Sequence, residues 1–266
     1  MAYKEILTET RGRVGIVTLN RPERRNALSP TMGEEMREVI EMYNADPGIG
    51  AVILTGADPA FCGGADVGDW KRSLDDPNEA DRERARLGRE ENWVHFWARS
   101  KPIICAVNGP SIGAGLTMTL SADARIASDR ARFSMRFVRM GIIPELASTK
   151  LLPLIVGFNR ALELMLTGKT IDAQEAERIG LVSRVVPHDQ LMEEAVTLAA
   201  DIAFNPTESL LAIKKLTWTN LVELDLQKVM VSEGQELLAA ALRPAFGEAV
   251  NAFLEKRQPD FHKPPA

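Results

Sequence analysis

Short apolar runs rich in β-branched residues recur in the first half of this 266-residue chain. They cover residues 13–19, 51–55 and 102–107, and Asn or Gly follows each of them directly. A run of this length and composition, closed by a turn residue, is typical of a β-strand. The pattern therefore predicts three strands separated by longer connections.

The connections between these runs carry apolar residues at helical spacing. Ser29 as N-cap and Pro30 at the first position predict a helix start, and residues 46–48 (DPG) predict its end. A second, highly charged helix is predicted over 79–99, and a helix of small residues follows the third strand over 116–120. The apolar positions of the first helix are Met32, Met36, Ile40 and Tyr43.

Repeated strand–helix–strand units indicate an α/β fold with sheets covered by helices. Helical patterns dominate after residue 170, and Asn205-Pro206 is the best boundary, so we expect an α/β core over 1–204 and a C-terminal helical segment over 205–266. Residues 237–242 (LLAAAL) are apolar beyond one helical face. This run either lies deep in its own fold or packs on another subunit.

Two glycine-containing segments follow the second and third strands. They are residues 61–66 (FCGGAD) and 108–115 (NGPSIGAG). Glycine lets another atom approach the main chain closely because no Cβ stands in the way. Two such turns that meet in the fold can direct two peptide N–H groups at one oxygen. That arrangement is an oxyanion hole, which suits an enzyme that forms an enolate from a thioester.

Composition narrows the function class further. Apolar residues at 45% and charged residues at 26% are ordinary for a globular chain, and the net charge of −5 argues against a nucleic-acid surface. No run is long and apolar enough to span a membrane, and no signal segment opens the chain. Cys62 and Cys105 lie in or beside apolar runs, so we expect buried, reduced thiols in a cytoplasmic protein. Three histidines without clustered ligands make a metal site unexpected.

Several segments together resemble the enoyl-CoA hydratase/isomerase (crotonase) family over nearly the whole chain. The resemblance implies a crotonase-like spiral of ββα units with a C-terminal helical trimerisation segment. It also implies an acyl-CoA thioester substrate, with CoA as part of the substrate rather than a separate cofactor, and a homotrimer or a dimer of trimers. The matching segments are the two glycine turns and residues 19–28 (LNRPERRNAL), 166–169 (LTGK), 173–176 (AQEA), 180–182 (GLV) and 252–257 (AFLEKR).

The resemblance also assigns roles to residues. The oxyanion donors carried over from the family are the amides of Ala65 and Ala114. Arg25 stands where family members present a basic residue to CoA phosphates, although a solvated turn explains it equally well. Phe253 and Lys256 match residues that reach CoA from a neighbouring subunit, and their spacing of three predicts one helix face. Further substrate-binding positions implied by the motifs are Ala27, Gly64, Asp66, Val67 and Gly113, with Asp66 expected to orient its loop rather than to exchange protons.

The acids that the family uses for hydration are absent from their usual places. The hydratase branch has glutamates at positions that correspond here to Thr117 and Phe137. Instead, residues 141–148 (GIIPELAS) carry one acid, Glu145, in a segment that resembles the isomerase branches. A single base suffices for a 1,3-proton shift, because it removes the proton and returns it elsewhere. We expect the neighbours Ile142, Ile143 and Leu146 to raise its pKa.

Other interpretations of these residues stay open. Glu145 is also explained as an ordinary acid in the first turn of a helix. Glu90 and Glu91 are reserve candidates for the base, and His95 is expected to be a packing residue. For the whole chain, the first hypothesis is an enoyl-CoA isomerase with Glu145 as base; the alternatives are an enoyl-CoA hydratase and a catalytically silent acyl-CoA-binding member.

Overall fold

Nine strands build two sheets in the described part of the protein. The structure is a computed structural model that describes residues 3–68, 71, 75, 76, 78 and 92–262. The strands are Ile6–Arg11 (β1), Val14–Leu19 (β2), Ala51–Gly56 (β3), Ile103–Val107 (β4), Pro110–Ile112 (β5), Ala124–Ser128 (β6), Arg132–Ser134 (β7), Thr170–Asp172 (β8) and Arg184–Val186 (β9).

The larger sheet has the order β1-β2-β3-β4-β6-β9. β1 is antiparallel to β2, and the remaining pairs are parallel. The three predicted strands are β2, β3 and β4, and each predicted bound lies within one residue of the observed one. Their register places Ile53 between Ile16 and Ile104, so the three apolar runs form the centre of the sheet.

Helices cover both faces of this sheet. Every residue of β3 is buried, and alternate side chains belong to two different clusters, with Leu54 in one and Ile53 in the other. The predicted N-terminal helix, Pro30–Ala45, packs on the first face, and Ser29 caps it by accepting a hydrogen bond from Met32 N. Helix Leu191–Ala203 packs on the opposite face. The α/β expectation is therefore confirmed.

A smaller sheet, of order β5-β7-β8, stands beside the glycine turns. β5 is parallel to β7, with Ser111 opposite Phe133, and β7 is antiparallel to β8. The sequence pattern did not predict these strands, because three residues are too few to show alternation. β5 lies within the second glycine segment, and its pairing with β7 positions the residues that follow, Gly113 and Ala114.

The helices differ in length from the predicted ones in places. The charged helix predicted over 79–99 lies largely outside the described residues, which contain only its end, Trp93–Arg99. The small-residue helix is a short α-helix, Ala114–Thr117, continued by the 3-10 helix Met118–Ser121. Other helices are Ser148–Val156, Phe158–Thr167, Ala173–Arg178, Thr207–Asn220, Leu226–Ala241 and Pro244–Leu254, and other 3-10 helices are Pro22–Arg24, Arg136–Met140 and His188–Gln190.

The C-terminal helices, from Thr207 onward, contribute little to the core. Helix Leu226–Ala241 has no buried residue, and Leu237, Leu238 and Leu242 are largely exposed. The apolar run over 237–242 therefore does not lie deep in its own chain. Within the described residues, no single helix meets the length and hydropathy of a membrane span, whereas Leu226–Ala241 and Pro244–Leu254 meet it jointly as a bent pair.

Candidate functional site

The two glycine turns lie side by side. Cys62 N donates to Pro110 O at 3.0 Å, and Ile112 N donates to Cys62 O at 3.0 Å. A Cβ placed on Gly64 would lie 2.7 Å from Ile112 O and 3.7 Å from Ala114 N. Because real Cβ atoms do not approach a carbonyl oxygen that closely, only glycine fits at position 64. The fold thus brings together the two segments that the sequence analysis singled out.

Hydrogen bonds on one side of the first turn fix the direction of the Ala65 amide. Leu28 N donates to Gly64 O at 2.8 Å, and Asp66 N donates to Leu28 O at 3.3 Å. In a parallel bridge of this kind, the residue between the two bonded groups points its own N–H away from the partner strand. The Ala65 N–H therefore points away from Leu28. Among the described residues, Ala65 N donates to no main-chain carbonyl.

Ala114 is the first residue of a helix, and its amide is one of those that a helix leaves without an internal acceptor. Gly113 precedes it with φ at +54°, in the left-handed region that favours glycine. A Cβ on Gly115 would lie 2.4 Å from Cys62 O, so this glycine packs against the first turn. Within the described chain, Ala114 N also lacks a main-chain acceptor.

Glu145 lies against this same short helix. Thr117 Oγ1 donates to Glu145 Oε1 at 2.5 Å, and it also lies 3.4 Å from Ala114 O. Thr117 is buried, whereas Glu145 is exposed as a whole residue and meets the protein through its carboxylate. Burial of that carboxylate raises the pKa of Glu145, and the hydrogen bond from Thr117 opposes the shift.

The loop around Glu145 corrects two expectations. The following helix begins at Ser148, so Glu145 does not lie in its first turn, and the helix-start interpretation is wrong. Leu146 and Ala147 have φ of +53° and +55°, which costs about 1–3 kcal/mol for each residue that carries a Cβ. Ile142 and Ile143 are exposed, so they do not supply the burial that raises the pKa of Glu145.

The turn at 21–28 closes the other side of the first glycine segment. Gly63 N donates to Arg25 O at 2.8 Å, which holds the exposed Arg25 beside the turn. Arg21 lies 3.2 Å from Asp66 Oδ2, and Gly68 N donates to Asp66 Oδ1 at 2.9 Å. Although burial opposes them, the Gly68 amide and Arg21 lower the pKa of Asp66. Asp66 is thus held as a carboxylate that fixes loop geometry.

The remaining substrate-binding positions lie in different surroundings. Ala27 is buried in the turn beside Asn26, and Val67 is exposed next to Asp66. Asn26 was not predicted as a site residue, yet its buried amide donates to Ala57 O and Ala60 O, each at 2.7 Å. The Phe137 ring lies 3.9 Å from the Cβ position of Gly113, beneath the second turn.

Phe253 and Lys256 do not share one helix face. Helix Pro244–Leu254 ends before Lys256, whose φ is +54°, so the predicted spacing argument is wrong. Both residues are exposed, and no hydrogen bond or ion pair among the described residues links them to the glycine turns. The structure of one chain therefore does not bring them to the site.

Other expected candidates are placed as follows. Glu90 and Glu91 lie outside the described residues. His95 is exposed and pairs with Asn92 at 3.2 Å, so it is not the packing residue that we expected. Cys62 and Cys105 are buried free thiols, and burial raises the pKa of each to about 12. In the part of the chain that the structure covers, no group of three or more His, Cys, Asp or Glu could hold a metal ion.

Thr117 is a site residue that the sequence pattern does not predict. The sequence marks it only as the position where a hydratase acid is missing, yet its hydroxyl contacts Glu145. The contact joins residues 28 positions apart through a loop with left-handed residues that are not glycine. Nothing in the local sequence indicates such a conformation.

Comparisons with known proteins agree with this architecture. The profile of the Enoyl-CoA hydratase/isomerase family matches residues 9–264. A Rhizobium meliloti protein named "Probable enoyl-CoA hydratase" is 36% identical, over 98% of this chain and 99% of its own length. A Dictyostelium discoideum protein named "Probable enoyl-CoA hydratase, mitochondrial" is also 36% identical, over 96% of this chain and 90% of its own.

Solved structures give the same result for the fold. Subunit I of an enoyl-CoA hydratase from Geobacillus kaustophilus has a TM-score of 0.87 and 33% identity, covering 97% of both chains. An enoyl-CoA hydratase/isomerase from Cupriavidus metallidurans has a TM-score of 0.88 and 30% identity, covering 100% of this chain and 99% of that one. Fold and site together define a protein of the crotonase fold. The chain belongs to the enoyl-CoA hydratase/isomerase family of enzymes.

Proposed function

We propose that this enzyme moves a C=C bond of an enoyl-CoA by proton transfer through Glu145. The observation that carries the proposal is the hydrogen bond between Glu145 and Thr117. It places the carboxylate one helical turn from Ala114, whose amide we assign as an oxyanion donor together with the amide of Ala65. One acid beside one oxyanion hole is what a 1,3-proton shift requires.

The proposed reaction runs in two balanced steps. The Glu145 carboxylate removes a proton from the carbon between the thioester and the double bond, and the electron pair moves onto the thioester oxygen. The amides of Ala65 and Ala114 stabilise the resulting dienolate by hydrogen bonds. The protonated Glu145 then returns the proton to the far carbon of the dienolate, and the carbonyl re-forms. Loss of one such donor costs on the order of 3 kcal/mol of barrier.

The raised pKa of Glu145 supports this role. A base whose pKa lies nearer the working pH is also a better acid in the return step. Within the described residues only burial and the Thr117 hydroxyl shift this pKa, so no cation competes for the carboxylate. Asp66, whose pKa is lowered and which is bonded to Arg21, is poorly suited to exchange protons.

We further propose that the rest of the acyl-CoA binds along the first glycine turn. Arg25 is exposed beside Gly63, where its guanidinium can meet a phosphate, and Ala27, Gly64 and Val67 lie along the main chain nearby. Phe253 and Lys256 are exposed and lie far along the chain from the glycine turns. We propose that they contact the CoA bound by a neighbouring subunit of a homotrimer or a dimer of trimers. CoA enters as part of the substrate, and the proposal requires no separate cofactor.

Product analysis with two substrates tests the proposal. The enzyme is incubated with a 3-enoyl-CoA and, separately, with a 2-enoyl-CoA, and the products are separated by chromatography. We expect interconversion of the two isomers, and Glu145→Gln should lower turnover by about 10²- to 10⁴-fold while acyl-CoA affinity stays within a few-fold. Formation of 3-hydroxyacyl-CoA as the main product would overturn the isomerase assignment.

Hydration is the second candidate function, because relatives at 36% identity are named enoyl-CoA hydratases. In that case Glu145 would activate water and add it across the double bond. Hydration is easiest with two carboxyl groups, and the places of both hydratase acids are taken by Thr117 and Phe137, neither of which exchanges protons in the needed range. The product analysis above separates the two functions directly.

A further inference from the structure

The Thr117 hydroxyl lies between the proposed base, Glu145, and the main chain of Ala114. It is buried, its oxygen lies 2.5 Å from Glu145 Oε1, and it lies 3.4 Å from the main-chain oxygen of Ala114. In the described chain, no other hydrogen bond is made by the Glu145 carboxylate. Among the residues that the structure describes, this hydroxyl is therefore the only hydrogen-bond partner of the proposed base.

We infer that Thr117 is a positioning residue that holds the Glu145 carboxylate by Oε1 and leaves Oε2 as the oxygen that exchanges protons with substrate. This inference rests on the proposed function of Glu145. It goes beyond that function by assigning a task to a residue that cannot itself act as acid or base.

A hydroxyl can serve both protonation states of the carboxyl group. While Glu145 is ionised, Thr117 donates its single hydrogen to Oε1, the shorter of its two contacts. Once Glu145 carries a proton on Oε2, Oε1 is the carbonyl oxygen of the carboxyl group and still accepts the hydrogen of the Thr117 hydroxyl. Neither state leaves a buried polar group without a partner, so the carboxyl keeps its place through the reaction.

The loop that carries Glu145 makes an external anchor necessary. Leu146 and Ala147 adopt left-handed conformations directly after the acid, and Ile142 and Ile143 before it are exposed. The hydroxyl on the buried helix Ala114–Thr117 ties the acid to the same element that carries Ala114.

Thr117→Val tests the inference, because valine keeps the shape and removes the hydroxyl. We expect kcat to fall by about ten-fold or more, with KM within about three-fold, since an orienting interaction acts mainly after binding. The hydrogen bond favours the ionised carboxyl, so its loss should move the acid limb of the pH–rate profile to higher pH. Thr117→Ser restores the hydroxyl and should recover most of both losses.

A readout without turnover separates this inference from the proposed function. The carboxyl stretch of Glu145 is isolated by infrared difference spectra against Glu145→Gln and titrated with pH. In Thr117→Val the midpoint should rise, whether or not the enzyme isomerises a given substrate. Unchanged midpoints in Thr117→Val, or Thr117→Ser behaving like Thr117→Val, would overturn the inference. Thr117→Ala serves as second hydroxyl-free variant if valine prevents folding, which thermal denaturation reveals.

Discussion

Burial of the Glu145 carboxylate has opposite effects on the stability of the fold and on the proposed chemistry. That burial raises the pKa of Glu145, and within the described part of the chain only the Thr117 hydroxyl opposes the shift. A folded-state pKa above the unfolded value means that ionisation favours the unfolded chain. The same desolvation makes the group useful as a base that must also return its proton.

Glu145→Gln should therefore stabilise the fold near neutral pH. The stability that wild-type Glu145 contributes is fully present below its unfolded pKa and is lost as pH rises through its folded pKa. Glutamine keeps an oxygen for Thr117 and has no charge to bury, so the variant should melt at a higher temperature near pH 7. The gain should be small, because the residue is partly open to solvent, and it should shrink towards pH 4. A gain that is equal at both pH values would contradict the titration argument.

Gly113 and Gly115 in the second turn both require glycine, but for different physical reasons. A Cβ on Gly113 would meet only the Phe137 ring, at an ordinary contact distance of 3.9 Å, but the residue has a φ of +54°. Gly115 has no such φ, and its Cβ would meet Cys62 O at 2.4 Å. At Gly113 the main-chain conformation requires glycine, whereas at Gly115 the close approach of the first glycine turn requires it.

Gly115→Ala should push the second turn away from the first and weaken catalysis through the main chain. We expect a loss of about ten-fold or more in kcat/KM, because donor misplacement by a fraction of an ångström already weakens an oxyanion hole. The matched control is Gly33→Ala in helix Pro30–Ala45, where nothing lies within 4 Å of the Cβ position. That variant should keep full activity and gain about 0.5–1 kcal/mol of stability. Equal activity in both variants would show that the turns tolerate the added methyl group.

The elements that form the core were predictable, and the loops that complete the site were not. Apolar runs fixed β2, β3 and β4 within a residue, and Ser29 with Pro30 marked the helix start, because each signal is local. That Gly64 lies beside Ala114 could be expected from the family resemblance, but no local signal links two residues so far apart in the chain. The left-handed Leu146 and Ala147, and the end of the last helix before Lys256, have no signal in residue type.

Lys214 ties the C-terminal helices to the rest of the chain. Its buried ammonium donates to Asp123 Oδ2 at 2.7 Å and to Trp97 O at 3.0 Å. Burial lowers the pKa of Lys214, which the Asp123 carboxylate opposes. Lys214→Met should cost about 3–5 kcal/mol in chemical denaturation, because Asp123 loses its cation. Its neighbour Lys215 is 74% exposed and 3.7 Å from Glu236, so Lys215→Met should cost less than about 1 kcal/mol.

The C-terminal helices expose an apolar face that a stable monomer would be expected to bury. Leu237, Leu238, Leu242 and Phe253 are each at least 71% exposed, and helix Leu226–Ala241 has no buried residue. Monomers rarely expose contiguous apolar patches of this kind, so we predict that other copies of the chain cover it. Sedimentation should give a mass of three or six chains of 29.3 kDa.

Leu238→Asp should shift that mass towards the monomer, since it places a charge at a face that must be dry in the assembly. Leu7→Asp on β1 makes the same change at an exposed leucine outside the C-terminal helices and should leave the mass unchanged. If Phe253 and Lys256 reach the substrate of a neighbouring subunit, the Leu238→Asp monomer should also bind acyl-CoA more weakly. Full acyl-CoA affinity in a proven monomer would mean that each chain binds its substrate alone.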